Sequence, residues 1–190
     1  MSGNTPPEIT PRRCSVFLVP AADDFDHFSE VIRELSAKFD VPPFEPHVTV
    51  YAGMFPDPAL LRDALPRACA GIPPITLRVR GIGCTPDYFK TLFIEFEEDA
   101  PLRRLYDRVK AACGLDTGYA LFPHLSLLYA ELPLREKEGL ARRLTVDRAT
   151  VRFDEAKVVA PLNIAAGWRD TLHWKTLSRV RLGEVPEGPP

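Results

Sequence analysis

The sequence predicts an α+β protein built from two related lobes. Three observations carry this. Strand-like and helix-like segments alternate through most of the 190 residues, a strand leads into a helix in each half, and each half holds one strand-like copy of Pro-His-x-hydroxyl. The copies are Pro46-His47-Val48-Thr49 and Pro123-His124-Leu125-Ser126.

In chain order, "CSVFLVPA" from Cys14 reads as a strand, and the segment from Asp23 to Phe39 follows with Phe25, Phe28, Ile32, Leu35 and Phe39 at helical spacing. "HVTVYAG" from His47 alternates and reads as a strand, after which "DPALLRDALPRACAG" from Asp57 carries a helical pattern interrupted by Pro66. "ITLRVRGIGCT" and "YFKTLFIEFEE" predict two strands about a turn at Pro86 and Asp87. "APLRRLYDRVKAACG" is a helix with Pro101 in its opening turn and Gly114 at its end. The strand "HLSLLYAEL" comes next, then a helix at "REKEGLARRLT" and strands at "ATVRFDEAKVVA" and "DTLHWKTLSRVRL". Residues 1–12 and 184–190, polar and rich in proline, read as disordered tails around a single bilobal domain over 13–183.

The 24 Lys+Arg nearly balance the 26 Asp+Glu, leaving a formal charge of -2 and no basic excess to hold a long nucleic acid by bulk electrostatics. Any phosphate recognition must therefore be local. Apolar runs such as Val16 to Ala22 fall short of the ~20 residues a membrane span needs, and no apolar signal core follows the polar start. Cys14, Cys69, Cys84 and Cys113 form no pair at zinc-knuckle or redox spacing. A cytoplasmic monomer with reduced thiols and no membrane contact is the expectation.

Side chains alternate along a strand, so His47, Thr49 and Tyr51 are expected on one face and Val48 and Val50 on the other. His124 and Ser126 share a face in the same way, opposite Leu125 and Leu127. Either motif alone reads equally well as a strand histidine bonded to nearby backbone. Two of only four histidines in the same short pattern point instead to chemistry. An imidazole with pKa near ~6.5 can serve as base or acid, and a hydroxyl can donate to an anionic oxygen. Two of each suit in-line displacement at phosphorus. Neither motif offers a carboxylate or thiol at ligand spacing, so no metal and no cofactor is expected.

"PHVTVY" and "PHLSLLY" resemble the paired motifs of the two-histidine phosphoesterase superfamily, and the second is most similar to its cyclic nucleotide phosphodiesterase branch. "SVFLVPA" and "DYFKTLFIEFE" extend the resemblance over most of the chain. It implies a bilobal fold in which two antiparallel sheets line a central cleft with helices outside. It also implies hydrolysis of 2',3'-cyclic phosphates, or of the cyclic phosphate of ADP-ribose, without a metal. On this resemblance His47 and His124 are the catalytic pair, His124 activating water and His47 protonating the leaving oxygen, while Thr49 and Ser126 bind the phosphoryl oxygens. Phe17 and Tyr129 match aromatics that lie against the nucleoside. Strand parity puts Tyr129 opposite His124, so a bulge or a role in the core competes with that assignment.

The expected partner is a small nucleotide or an RNA end bearing a cyclic phosphate. The rival readings are a 2'-5' RNA ligase or RNA-end phosphodiesterase of the same superfamily, and a non-catalytic nucleotide- or RNA-binding module. His27 is expected in solvent, His173 at a plain strand position, and Trp168 and Trp174 in core or edge positions. Arg78, Arg80, Arg142 and Arg143 stand at ordinary surface spacings, and "GIGC" lacks the strand-to-helix context of a phosphate loop.

Overall fold

The computed structural model describes residues 11–161 and 174–183; the rest of both expected tails, together with His173 and Trp168, lies outside them. Among the described residues the order is β1 (Arg12–Pro20), α1 (Ala22–Lys38), β2 (Val48–Phe55), α2 (Ala59–Cys69), β3 (Ile75–Gly83), β4 (Leu92–Phe96), α3 (Ala100–Cys113), β5 (His124–Leu128), α4 (Leu134–Arg143), β6 (Thr150–Pro161) and β7 (Trp174–Arg181). Arg12, expected in the first tail, already pairs with Phe55.

Local chemistry explains the helix limits. Asp99 caps α3 by accepting from the Leu102 amide at 2.9 Å, Pro101 stands in the first turn, and Gly114 ends the helix with a left-handed φ of 65°. Asp24, in the first turn of α1, accepts from the Arg152 amide at 2.9 Å and so ties that helix to β6. α2 runs straight through Pro66, where the sequence had suggested a break. Pro66 and Arg62 both lie on the exposed face, where water can take the carbonyl that proline leaves without a donor.

β2–β1–β6–β7 and β5–β4–β3 are antiparallel halves. They join along β3–β6 and through one β2–β5 pair, Val48 with Leu125. The two sheets that the resemblance implies are thus fused edge to edge into one seven-stranded sheet. α1 packs on β1 and β5, α3 on α2 and β2, and α2 on β6 and β7. Against these helices lie the fully buried Val48, Val50, Leu125 and Leu127, the apolar sides of the motif strands. The opposite side is left for chemistry.

All four cysteines are free thiols. Burial pushes Cys14 up to about 11 and Cys69 up to about 12, so both stay protonated. Among the described residues no helix is long and apolar enough to cross a membrane.

Candidate active site

The two motifs meet at the residue between histidine and hydroxyl. Because Val48 and Leu125 pair antiparallel with their side chains in the core, their neighbours project to the other side. The pairing direction sets His47 on the Ser126 side of the seam and Thr49 on the His124 side. All four line one cavity of about 370 Å³, which Phe17 and Tyr129 also border.

Each imidazole is oriented by the same local device. His47 Nδ1 donates to the Glu45 carbonyl at 2.6 Å, and His124 Nδ1 donates to the Phe122 carbonyl at 2.8 Å. A carbonyl can only accept, so Nδ1 carries the hydrogen and Nε2 keeps the lone pair in both rings. The intervening Pro46 and Pro123 fix φ in each short reach-back. Burial pushes His47 down to about 3, with His124 and Lys157 lowering it further. Burial also lowers His124, and Lys90 adds to that effect. Both rings are neutral in the free site at neutral pH.

Around His47, the Phe17 ring stacks at 3.6 Å and 16°. Lys157, almost wholly buried, pairs with the Glu45 carboxylate, which anchors the residue whose carbonyl holds the His47 ring. Around His124, Phe93 approaches edge-on at 5.3 Å and Phe122 lies tilted at 5.0 Å. Ser126 Oγ donates to the Phe89 carbonyl at 2.8 Å, within the 3-10 turn Tyr88–Lys90. Lys137 holds that turn from behind, its buried ammonium donating to the carbonyls of Thr85, Pro86 and Asp87 at 3.1, 3.0 and 3.2 Å. Thr49 Oγ1 has no hydrogen bond among the described residues, while its carbonyl accepts from Tyr119 Oη at 3.0 Å.

Two β-bulges correct the parity expected from the sequence. Along β1, Val16 pairs with Tyr51 and Phe17 with Thr49, leaving Val50 as the extra residue. Tyr51 therefore turns into the core, not onto the His47 face, and Ala52 takes its place at the cavity. Along β4, Leu92 pairs with Leu128 and Phe93 with Ser126, leaving Leu127 extra. That shift carries Tyr129 onto the His124 side, where it stacks on Phe44 at 3.7 Å with its phenol close to the Ser126 hydroxyl. Burial raises its phenol well above the ordinary value.

Trp174, expected in a core or edge position, lines the cavity with its ring 5.0 Å from Phe17. Arg13, Ser15, Tyr119 and Lys90 line it too and carried no sequence signal beyond strand alternation. Arg78, Arg80 and Arg142 pair with Glu97, Glu95 and Glu138 outside it. His27 is half-buried on α1, its ring against Phe28. Among the described residues no three His, Cys, Asp or Glu side chains are grouped as a metal site.

A family model described as the 2'-5' RNA ligase superfamily matches residues 22–163. A cyclic phosphodiesterase of Arabidopsis thaliana is 27% identical over 125 residues, 66% of this chain and 69% of its own. The fold is shared with E. coli LigT: its complex with 3'-AMP matches with a TM-score of 0.56 at 16% identity, covering 92% of this chain and 99% of LigT. The LigT complex with ATP gives 0.57 at 15% identity with the same coverage.

Proposed function

We propose that this chain, which belongs to the 2'-5' RNA ligase superfamily of two-histidine phosphoesterases, hydrolyses 2',3'-cyclic phosphates, or the cyclic phosphate of ADP-ribose, to a phosphomonoester without a metal. The observation that carries the reading is the seam: one backbone pair presents two Nε2 lone pairs and two hydroxyls to a single cavity. In-line displacement needs these parts. One neutral Nε2 takes a proton from the attacking water, the other, protonated, gives its proton to the departing ribose oxygen, and the hydroxyls donate to the phosphoryl oxygens.

Both rings start neutral, so the acid acquires its proton as the anionic substrate arrives and its charge offsets the effect of burial. His47, with the lower pKa, is the stronger acid once charged, and His124 the stronger base. That ordering supports His124 as the group that activates water. Thr49 and Ser126 bind the phosphoryl group, and Phe17 and Tyr129 bound the nucleoside. A cavity of about 370 Å³ suits one nucleotide or a single RNA end, and the Arabidopsis relative supports the reaction class.

The test is hydrolysis of 2',3'-cyclic AMP with EDTA present across pH 5 to 9, with the product identified by phosphorus NMR. A single 2'-phosphate product is expected. Turnover only of 2'-5'-linked oligonucleotides would move the assignment to RNA-end chemistry, and turnover of neither to a binding module.

A further inference from the structure

We propose that Arg13 and Ser15 form a second anion site at the mouth of the cavity, reading a phosphate other than the one being opened. The preferred substrate is then a nucleotide that carries a 5'-phosphate as well as its 2',3'-cyclic phosphate. This deepens the phosphodiesterase reading and rests on it.

β1 turns every second side chain to the cavity, presenting Phe17, Ser15 and Arg13 in that order. Phe17 pairs with Thr49 at the reacting end. Four residues of strand, about 13 Å, separate it from Arg13. Less the reach of the guanidinium back toward the cavity, that is about the length of one nucleoside. Ser15 lies midway, 9% exposed, and lines both the main cavity and the small pocket beside it. Its hydroxyl is placed to donate to an anionic oxygen entering from the cavity.

The charges point the same way. Several described arginines meet a carboxylate outside the cavity, as Arg80 meets Glu95 and Arg179 meets Glu155. Arg13 makes no ion pair or hydrogen bond among the described residues, yet it lines the cavity. Lys90 does not substitute for it, since it sits over Phe122 next to His124, at the end where the cyclic phosphate reacts. Trp174 borders both the main cavity and a small pocket of about 20 Å³ that it shares with Arg13 and Ser15. Its indole forms a wall along the path a nucleoside would take between the two phosphates.

The test compares kcat/KM for 2',3'-cyclic AMP with that for the same nucleotide bearing a 5'-phosphate, in the wild type, Arg13→Gln and Arg13→Lys. A charge-assisted contact predicts a preference of about tenfold or more for the 5'-phosphorylated substrate. The preference should collapse toward unity in Arg13→Gln and return in part in Arg13→Lys. Equal wild-type values, or a preference that survives Arg13→Gln, would overturn the proposal. If neither substrate is hydrolysed, the enzymatic reading fails by itself, and calorimetric titration with adenosine 2',5'-bisphosphate against adenosine 2'-monophosphate still decides the site. Tighter binding of the bisphosphate that is lost in Arg13→Gln upholds the site; equal binding removes it.

Discussion

The β1–β2 half and the β4–β5 half of the cavity match position for position. His47 corresponds to His124 and Thr49 to Ser126; each hydroxyl residue pairs across the sheet with a phenylalanine, Phe17 or Phe93; and each motif strand bulges immediately after its hydroxyl. The differences lie in what surrounds these shared parts. Phe17 stacks flat on His47 above a buried lysine, whereas Phe93 meets His124 edge-on, and the residue paired with it on the far side is Gly83. A Cβ at Gly83 would stand 2.6 Å from the Phe93 ring, so the glycine leaves room for that ring. The Thr49 hydroxyl is uncommitted among the described residues and the Ser126 hydroxyl is bonded to a turn. Ala52 occupies the position that Tyr129 fills in the other half. One device used twice has become two unequal partners, the first more deeply buried, the second tied to a loop.

Breaking either imidazole is the largest test. His47→Ala and His124→Ala should each lower kcat by about 10³ or more with the fold intact by circular dichroism, because each ring supplies a separate proton transfer. Near-normal kcat in either variant would mean that only one half is catalytic. Thr49→Val is expected to lower kcat by about a hundredfold to a thousandfold, the usual cost of losing an oxyanion donor. Ser126→Ala should cost less, since that hydroxyl must first leave the Phe89 carbonyl; a larger loss than Thr49→Val would reverse the ranking.

The pH dependence follows from the directions of the two shifts. With both free-enzyme imidazoles below 6.5, the singly protonated state that catalysis needs is most populated on the acid side of 6.5. There kcat/KM should peak, falling about tenfold per unit at higher pH, and Lys90→Met should move the alkaline limb upward. A maximum at pH 7.5 or above contradicts this. Stability carries the same sign. The unfolded chain takes up protons on its histidines as pH drops below ~6.5 while the buried rings resist, at about 1.4 kcal/mol per unit for each ring. That stabilisation is complete above 6.5 and is lost, for His47, as pH falls toward about 3. Thermal midpoints from pH 7 to 4 should fall less steeply in His47→Gln than in the wild type. The smallest effect is expected from Tyr129→Phe, which removes only the phenol oxygen beside Ser126 and should alter KM a fewfold.

Much of the site was legible because strand parity holds over the three residues from each histidine to its hydroxyl. Beyond that point the reading turned on one extra residue in each strand. Val50 and Leu127 look like ordinary apolar strand residues, and nothing about them announces a bulge, so Tyr51 was expected at the cavity and Tyr129 could not be placed. Helix limits fared well where a cap marked them, as Asp99 and Gly114 mark α3. Pro66 misled because exposure lets water complete the backbone bonding. Arg13 shares the Phe17 face of β1 by simple alternation, but Lys90 and Trp174 reach the cavity through a turn held by Lys137 or through register with a distant strand, and neither periodicity nor spacing encodes such relationships.

The seam between Val48 and Leu125 has one more consequence. An antiparallel pair has a local twofold axis through its centre, so the four reactive groups form a palindrome: read from either strand, the phosphorus meets the same histidine and hydroxyl. A substrate turned end for end would again find a base on one side and an acid on the other. The catalytic quartet therefore does not set the direction of attack. Handedness is left to the walls, and a few substitutions there can change which bond is made or broken while the proton-transfer machinery stays as it is.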